Sequence, residues 1–306
     1  MEHKYEESMF EKIETMGELG EMMVRPSITY WADSWRRLKT NKVAMGSIVI
    51  LFVLIVMCIF APMFSKYNFE VTDTSSINLG PSSLHIFGTD SLGRDIFTRV
   101  WVGGRVSIMI GFVGTLMVIC VGCVYGGIAG YFGGKIDHYM MRVIEILVSI
   151  PYLVMVILIS LYLGKGIFAL IIALTITGWT EVARIVRGQV LQIKEQEFVT
   201  AAKALGASPS RIILKHLLPN TVGVVIVAIT FKIPGFIFAE AFLSFIGLGV
   251  QAPNTSWGAL AAAARENLRF YPYQIFFPSL MIILTMLSFS LLGDGLRDAL
   301  DPKERQ

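Results

Sequence analysis

Long apolar runs alternate with polar segments along this chain, and the apolar runs predict membrane-spanning helices. Three of these runs carry no charged side chain, and the others carry one or two. A helix needs about 20 mainly apolar residues to cross the hydrocarbon core of a bilayer, and each run reaches or approaches that length. The six predicted spans are residues 43–65, 106–132, 143–164, 167–183, a run that starts near Thr221, and residues 271–293.

The polar segments divide the chain. Residues 1–42 are polar and charged ahead of the first apolar run, so we expect no cleavable signal peptide at this end. Within them, residues 4–24 follow an imperfect helical period that fits an amphipathic helix or a partly ordered tail. The predicted organisation is an N-terminal segment (1–42), the first span (43–65), an external loop (66–102), a five-span core (103–295) with a cytoplasmic loop at 190–220, and a C-terminal tail (296–306).

The composition supports a membrane protein. The 306 residues are 54% hydrophobic and 16% charged, and the mean hydropathy is +0.64, too apolar for an ordinary soluble domain. The net charge of +3 is spread along the chain, so no basic stripe indicates nucleic-acid binding. The three cysteines lie in apolar runs and the four histidines lack ligand spacing, so we expect no disulfide and no metal site on this chain.

Basic residues orient the predicted spans. Of the 26 Lys and Arg residues, 18 fall on the side that holds both termini and the 190–220 loop, 7 fall on the opposite side, and Lys232 lies within a span. Cytoplasmic segments carry the excess of Lys and Arg. The sequence therefore predicts a multi-pass protein of the cell membrane with both termini in the cytoplasm.

A polar island, residues 197–220, separates two apolar runs on the cytoplasmic side. It reads as two short helices joined by a tight turn. Gly206 suits the left-handed position after a helix, Ser208 can cap the next one, and Pro209 fits the first turn of that helix. Pro219 is expected to stop the second helix. We call residues 197–220 the helical knob.

The knob has the character of a docking surface. Ala201, Ala202 and Ala204 beside Gly206 would let another backbone approach closely, while basic residues keep the flanks solvated. An ordinary loop helix between two membrane spans explains the local pattern equally well.

Two charged residues fall within the fifth predicted span. Lys232 and Glu240 should face protein or water, because a charge at the bilayer centre costs about 2.5–3.5 kcal/mol. They are candidates for a transport pathway, or they pair with groups on another helix. Eight residues apart in a straight helix, they are too far apart to pair with each other.

The chain shows no nucleotide-binding loop of its own. The glycines at positions 126, 127, 133 and 134 lead into Lys135, but a phosphate-binding loop would need Gly at 129 and Ser or Thr at 136. Ala129 and Ile136 occupy those positions. No span carries an activated nucleophile beside a base either, so we expect a non-catalytic chain without a cofactor.

The knob resembles the EAA loop of ABC-importer permeases, the cytoplasmic coupling helix that sits in a cleft of the ATP-hydrolysing subunit. The similarity rests on Ala201-Ala202, Gly206 and Leu218-Pro219 at the family's spacing, while Thr200 replaces the usual Glu and His216 an aliphatic residue. The coupling residues that this resemblance implies are Thr200, Ala201, Ala202, Gly206, Ala207, Ser208, Arg211, His216 and Pro219.

A second motif is similar to the peptide branch of these permeases. It runs from Phe87-Gly88-Thr89-Asp90 through Gly93-Arg94-Asp95 to Arg99, Arg105 and Ser107, although a well-capped loop would show the same residue types. The Ser256-Trp257-Gly258 segment and the C-terminal residues 293–303 are also similar to that branch.

The resemblance implies an all-α membrane protein with a type I ABC importer permease-like bundle, acting in oligopeptide import. Its implied partners are a second homologous permease, two cytoplasmic ATPases that bind ATP and Mg²⁺, an external peptide-binding protein and the lipid bilayer. Permeases for dipeptides, nickel chelates or glutathione share the motifs and remain alternatives. A more distant alternative is an ATP-independent channel or a membrane sensor subunit.

Overall fold

The fold was described from a computed structural model, which covers residues 30–164 and 166–300. These residues are mainly helical, and a long loop at 65–95 precedes α3. The amphipathic helix considered for residues 4–24 and the last six residues lie outside this part of the chain. The helices are α1 (Tyr30–Thr40), α2 (Lys42–Phe64), α3 (Ile96–Phe132), α4 (Gly134–Ser149), α5 (Tyr152–Leu163), α6 (Ile167–Ile193), α7 (Glu197–Ala204), α8 (Pro209–Ile212), α9 (Leu218–Phe245), α10 (Trp257–Ala264) and α11 (Tyr273–Leu300).

Five helices in the described residues are long and apolar enough to cross a membrane: α2, α3, α6, the continuous α8–α9 unit and α11. The third predicted span, residues 143–164, differs from a straight helix. It belongs to a pair, α4 and α5, bent by 82°. Pro151 causes the break, because its ring disfavours the helical conformation for the preceding residue, and Ile150 is extended at φ −89°, ψ 129°. Counting this bent pair as one gives six spans, all packed as helices.

Several helices extend beyond the apolar runs. α3 begins at Ile96 inside the predicted 66–102 loop, because the Asp95 carboxylate accepts a hydrogen bond from the Thr98 amide at 2.8 Å and caps the helix there. α6 continues to Ile193 and α11 to Leu300, past the residue at which the tail was predicted to begin. The extra turns contain charged residues such as Arg99, Arg187 and Asp298, so hydropathy alone could not include them.

The expectation that Pro219 stops the second knob helix is wrong. The chain passes from α8 through a π-helical turn at Ile213–Leu217 straight into α9. A proline inside a helix lacks an N–H and clashes with the carbonyl four residues earlier. The wider π turn, in which the Leu218 amide bonds to the Ile213 carbonyl, accommodates the ring.

The core centres on α3 and α6. Gly122, Gly126 and Gly130 form a stripe along α3, and α6 lies directly against it. A Cβ atom added at Gly122 would come within 2.7 Å of the Val182 Cβ, and one at Gly130 within 2.9 Å of the Val190 Cβ. Close approach through small residues is the usual way for helices to associate in a bilayer. This packing fixes α6, the helix that leads into the knob.

Candidate functional site

The helical knob is built as the sequence predicts on its N-terminal side. α7 ends at Ala204, Gly206 takes the left-handed conformation at φ +80°, and the Ala207 amide returns to the Ala202 carbonyl at 3.0 Å. The Ser208 hydroxyl accepts a hydrogen bond from the Arg211 amide at 3.4 Å and caps α8, which opens with Pro209. These local contacts define the angle between the two short helices.

Apolar side chains anchor the knob to the bundle. Val199 on α7, Ile212 on α8 and Leu217 in the π turn are completely buried. The ammonium of Lys203 also lies 5.7 Å from the centre of the Tyr131 ring at the end of α3, a cation–π distance. The knob is therefore attached to α3, α6 and α9 along its inner side.

The outer side of the knob is exposed. Among the predicted coupling residues, Thr200, Ala201, Gly206, Ser208, Arg211 and Pro219 are exposed, and Ala202, Ala207 and His216 are half-buried. The Thr200 hydroxyl donates a hydrogen bond to the carbonyl of Gln196, the residue that precedes α7.

The sequence analysis missed the largest apolar groups on this surface. Leu205, at the tip between the two helices, is 88% exposed, and Phe198 is 40% exposed. Large apolar side chains that project from a polar loop indicate a protein contact. Their apolar character within the polar island was the available signal.

An ion pair ties the knob's entry helix to α4. Arg187 on α6 donates two hydrogen bonds to the two carboxylate oxygens of Asp137 in the first turn of α4. This paired fork geometry is specific in orientation as well as favourable in energy. It lies two turns before α6 ends, so α3, α4 and α6 hold the base of the knob together.

A cavity of about 820 Å³ lies between the α4–α5 bend, α6, α9 and the end of α11. Its walls are mainly apolar and aromatic, and four charged side chains enter it. The apolar lining includes Leu147, Ile150, Pro151, Tyr152, Val224, Phe231 and Phe236, and the charged lining is Glu181, Arg184, Lys232 and Arg297.

Lys232 pairs with a carboxylate on a neighbouring helix. Its ammonium on α9 bonds to Glu181 on α6, and both side chains line the cavity. Lys232 is 21% exposed and Glu181 66% exposed. This ion pair adds a polar link between the two helices that enter and leave the knob, which also pack through Phe236 and Gly178.

Glu240 lies elsewhere, in a closed polar cluster. Its carboxylate is fully buried and accepts hydrogen bonds from the hydroxyls of Ser107 (3.1 Å), Ser244 (2.7 Å) and Ser256 (2.6 Å). Each hydroxyl oxygen also accepts a backbone amide, from Trp257, Val250 and Ala259 respectively. The cluster joins α3, α9 and α10, and Glu240 does not line the cavity.

The second sequence motif forms a capped entrance to α3. Asp95 bonds to the buried His85 ring at 3.0 Å, and Asp90 bonds to Arg94 at 2.8 Å. Further along, the Arg105 guanidinium donates to the carbonyls of Cys58 (2.6 Å) and Ile59 (2.7 Å) on α2. The Cys58 carbonyl needs this donor because Pro62, four residues later, has no N–H.

The described residues contain no group of three His, Cys, Asp or Glu side chains arranged to hold a metal ion. The charged side chains of the cavity and the exposed tip of the knob both have the character of binding surfaces.

Comparison with known proteins identifies the family. Residues 122–306 match the binding-protein-dependent transport system inner membrane component, and residues 29–81 match the N-terminal TM domain of oligopeptide transport permease C. The chain is 48% identical to the oligopeptide transport system permease protein OppC of Bacillus subtilis, over 98% of both chains. It is 52% identical to the dipeptide transport system permease protein DppC of the same organism, over 92% of this chain and 88% of that one.

A solved structure shares the fold. The inward-facing MetNI methionine ABC transporter matches 66% of this chain and 96% of its own chain with a TM-score of 0.55 and 19% identity. The helical bundle, the apolar spans and the family match agree, and this chain belongs to the family of binding-protein-dependent transport system inner membrane components.

Proposed function

We propose that this chain is the permease subunit of an ATP-driven oligopeptide importer, that it forms half of the translocation pathway, and that it couples to cytoplasmic ATPases through the helical knob. The knob's geometry carries the proposal. Its inner side is packed on α3, α6 and α9, while Leu205, Ala201 and Gly206 face outward at the tip. An exposed tip that combines small residues with the apolar side chain of Leu205 suits insertion into a cleft of another protein.

The partners follow from this role. A second homologous permease completes the pathway, two cytoplasmic ATPases bind the ATP and Mg²⁺, and an external binding protein delivers the peptide. The chain lies in the inner membrane with both termini in the cytoplasm. It performs no chemistry itself.

Coupling requires that ATPase motion reach the cavity. Because α6 enters the knob and α9 leaves it, displacement of the knob moves these helices relative to the α4–α5 bend. Such a shift needs different contacts in the two states. The Lys232–Glu181 pair bridges α6 and α9. It is a contact that can be present in one state and absent from the other.

Co-purification tests the docking surface. We would isolate the tagged chain in mild detergent with and without Leu205→Asp. The proposal predicts recovery of a second permease and two ATPases, with the ATPases lost from the variant. Leu84→Asp is the matched control, since Leu84 is 72% exposed in the loop before α3. A chain recovered alone, or a complex indifferent to Leu205→Asp, would refute the docking role.

A dipeptide importer is the second candidate, favoured by the 52% identity to the dipeptide permease of Bacillus subtilis. Uptake of dipeptides and pentapeptides by the same reconstituted complex with its binding protein separates the two. Uptake of the pentapeptide supports the oligopeptide role. Uptake of the dipeptide alone would show that the complex is a dipeptide importer instead.

A further inference from the structure

The charged lining of the cavity is unbalanced. Three cationic side chains, Arg184, Lys232 and Arg297, enter it with one carboxylate, Glu181. Lys232 is paired with Glu181, whereas Arg184 and Arg297 have no hydrogen-bond or ion-pair partner among residues 30–164 and 166–300. Arg184 and Arg297 are exposed, so their guanidinium groups are open to an anionic group that enters the cavity, and the apolar walls strengthen the interaction on the sides that they cover.

The positions of two of these cations favour one ligand group. Arg184 follows Glu181 by three residues, so both project from the same side of α6. Lys232 reaches that side from α9 through its bond to Glu181. A carboxylate that enters here meets the guanidinium of Arg184, which can bind it through two parallel hydrogen bonds, and the ammonium of Lys232, which it shares with Glu181.

The surrounding walls fit a short peptide of varied sequence. Tyr152, Phe231 and Phe236 present aromatic surface beside Val224 and Pro151. Ligand sites of this kind combine an apolar wall with a few polar groups that fix orientation. The cavity therefore combines an apolar wall with the cationic anchor of Arg184 and Lys232, and Arg297 adds a third cation from α11.

From this arrangement we propose that the cavity binds a carboxylate of the transported peptide between Arg184 and Lys232, in competition with Glu181. The inference rests on the proposed peptide-import function and names the group that the pathway recognises. Occupancy loosens the Lys232–Glu181 contact, while the packing of Phe236 on Gly178 keeps α6 and α9 together. Peptide arrival thereby becomes linked to the two helices that carry the knob.

Because Glu181 competes with the ligand, substitutions of Glu181 and of the two cations should change the affinity for the peptide in opposite directions. Glu181→Gln removes the competing carboxylate and tightens binding, while Arg184→Gln and Lys232→Gln remove ligand contacts and weaken it. A purely structural Lys232–Glu181 pair would make Glu181→Gln and Lys232→Gln harmful to the same degree. Arg142→Gln is the matched control, because it removes one cation from an exposed pair on α4, outside the cavity.

The experiment measures binding of tritiated trialanine to the assembled importer in nanodiscs without the external binding protein. The free acid should bind about tenfold more tightly than the C-terminal carboxamide, the size expected for one charge-assisted contact. Arg184→Gln should abolish that preference, and Glu181→Gln should increase affinity for the acid about threefold or more. N-acetylation of trialanine should leave affinity unchanged.

A further arm distinguishes two sources of the carboxylate. An acetylated, amidated Ala-Glu-Ala peptide carries only a side-chain carboxylate, so its binding shows that either source suffices and its failure assigns the site to the peptide terminus.

Equal affinity for acid and carboxamide, or a Glu181→Gln variant that binds as weakly as Arg184→Gln, overturns the proposal. ATP-driven uptake is measured on the same complex. Loss of uptake of every peptide refutes the importer function, whereas intact uptake without acid preference refutes only this site.

Discussion

Replacement of Glu240 by alanine should destabilise the bundle more than any other single polar substitution within the described spans. Three serine hydroxyls, from α3, α9 and the start of α10, converge on this buried carboxylate. With alanine at 240, each hydroxyl hydrogen loses its acceptor in a region that water does not reach. The contacts between α10 and the two longer helices weaken together.

The size of the effect follows from the three contacts. Hydrogen bonds between helices in membranes contribute about 0.6 kcal/mol on average and up to about 1.7 kcal/mol. Ser107 and Ser244 can turn to a carbonyl of their own helix, but Ser256 caps α10 and is committed to the Ala259 amide. We expect Glu240→Ala to lower the free energy of unfolding by about 2–4 kcal/mol, including the cavity left behind.

The isosteric variant separates hydrogen bonding from charge. Glu240→Gln keeps the volume and one oxygen that can accept from Ser244 and Ser256, and it loses only the acceptor for Ser107. Removing the buried charge offsets part of that loss. We expect a cost of about 1 kcal/mol or less.

The assay is unfolding of the purified chain in mixed micelles with increasing sodium dodecyl sulfate, followed by tryptophan fluorescence. We expect the unfolding midpoint to move to a clearly lower detergent fraction for Glu240→Ala and to move only slightly for Glu240→Gln. A Glu240→Ala chain as stable as the wild type would refute the view that this cluster holds α10 in place. A Glu240→Gln chain that is as unstable as the alanine variant would also refute this view.

Three further substitutions test local claims. Gly126→Leu should abolish assembly of the bundle, because a Cβ there would lie 3.0 Å from both the Arg187 amide nitrogen and the Val186 Cβ. Gly188→Ala should be tolerated, because nothing lies within 4 Å of a Cβ at that position. The yields of folded protein on size exclusion compare the two variants. Gly206→Ala should cost about 1 kcal/mol from the positive φ alone and Gly206→Asn less, measured by the same detergent unfolding. Arg105→Gln should cost about 1–2 kcal/mol by leaving the Cys58 carbonyl without a donor, and an unchanged unfolding curve would contradict that role.

Apolar periodicity and turn chemistry predicted much of this fold. Apolar runs located the spans, because a segment that crosses the bilayer must satisfy its backbone hydrogen bonds inside a helix. Gly206, Ser208 and Pro209 predicted the knob's turn, since a left-handed residue, a cap and a first-turn proline have few structural uses. The same local rules failed at Pro219, where a π turn absorbs the ring and α9 continues.

The remaining features depend on contacts between distant segments. The apolar pattern of residues 143–164 suits one helix or two, so the 82° bend needed the structure. Lys232 and Glu240 were equivalent candidates by sequence, yet one lines a cavity and the other is enclosed by serines from three helices. Leu205 was passed over because exposure at a turn is a property of the assembled knob.

The central claim is that the knob transmits ATPase motion to the cavity. The most direct test measures ATP hydrolysis and peptide uptake together in proteoliposomes that carry the assembled importer with Ala202→Glu, in which a charged side chain replaces a half-buried small one on the knob, and with Gly188→Ala as control. The account predicts that Ala202→Glu abolishes ATP-driven uptake while the control keeps it. Uptake at the wild-type rate with Ala202→Glu would contradict the account.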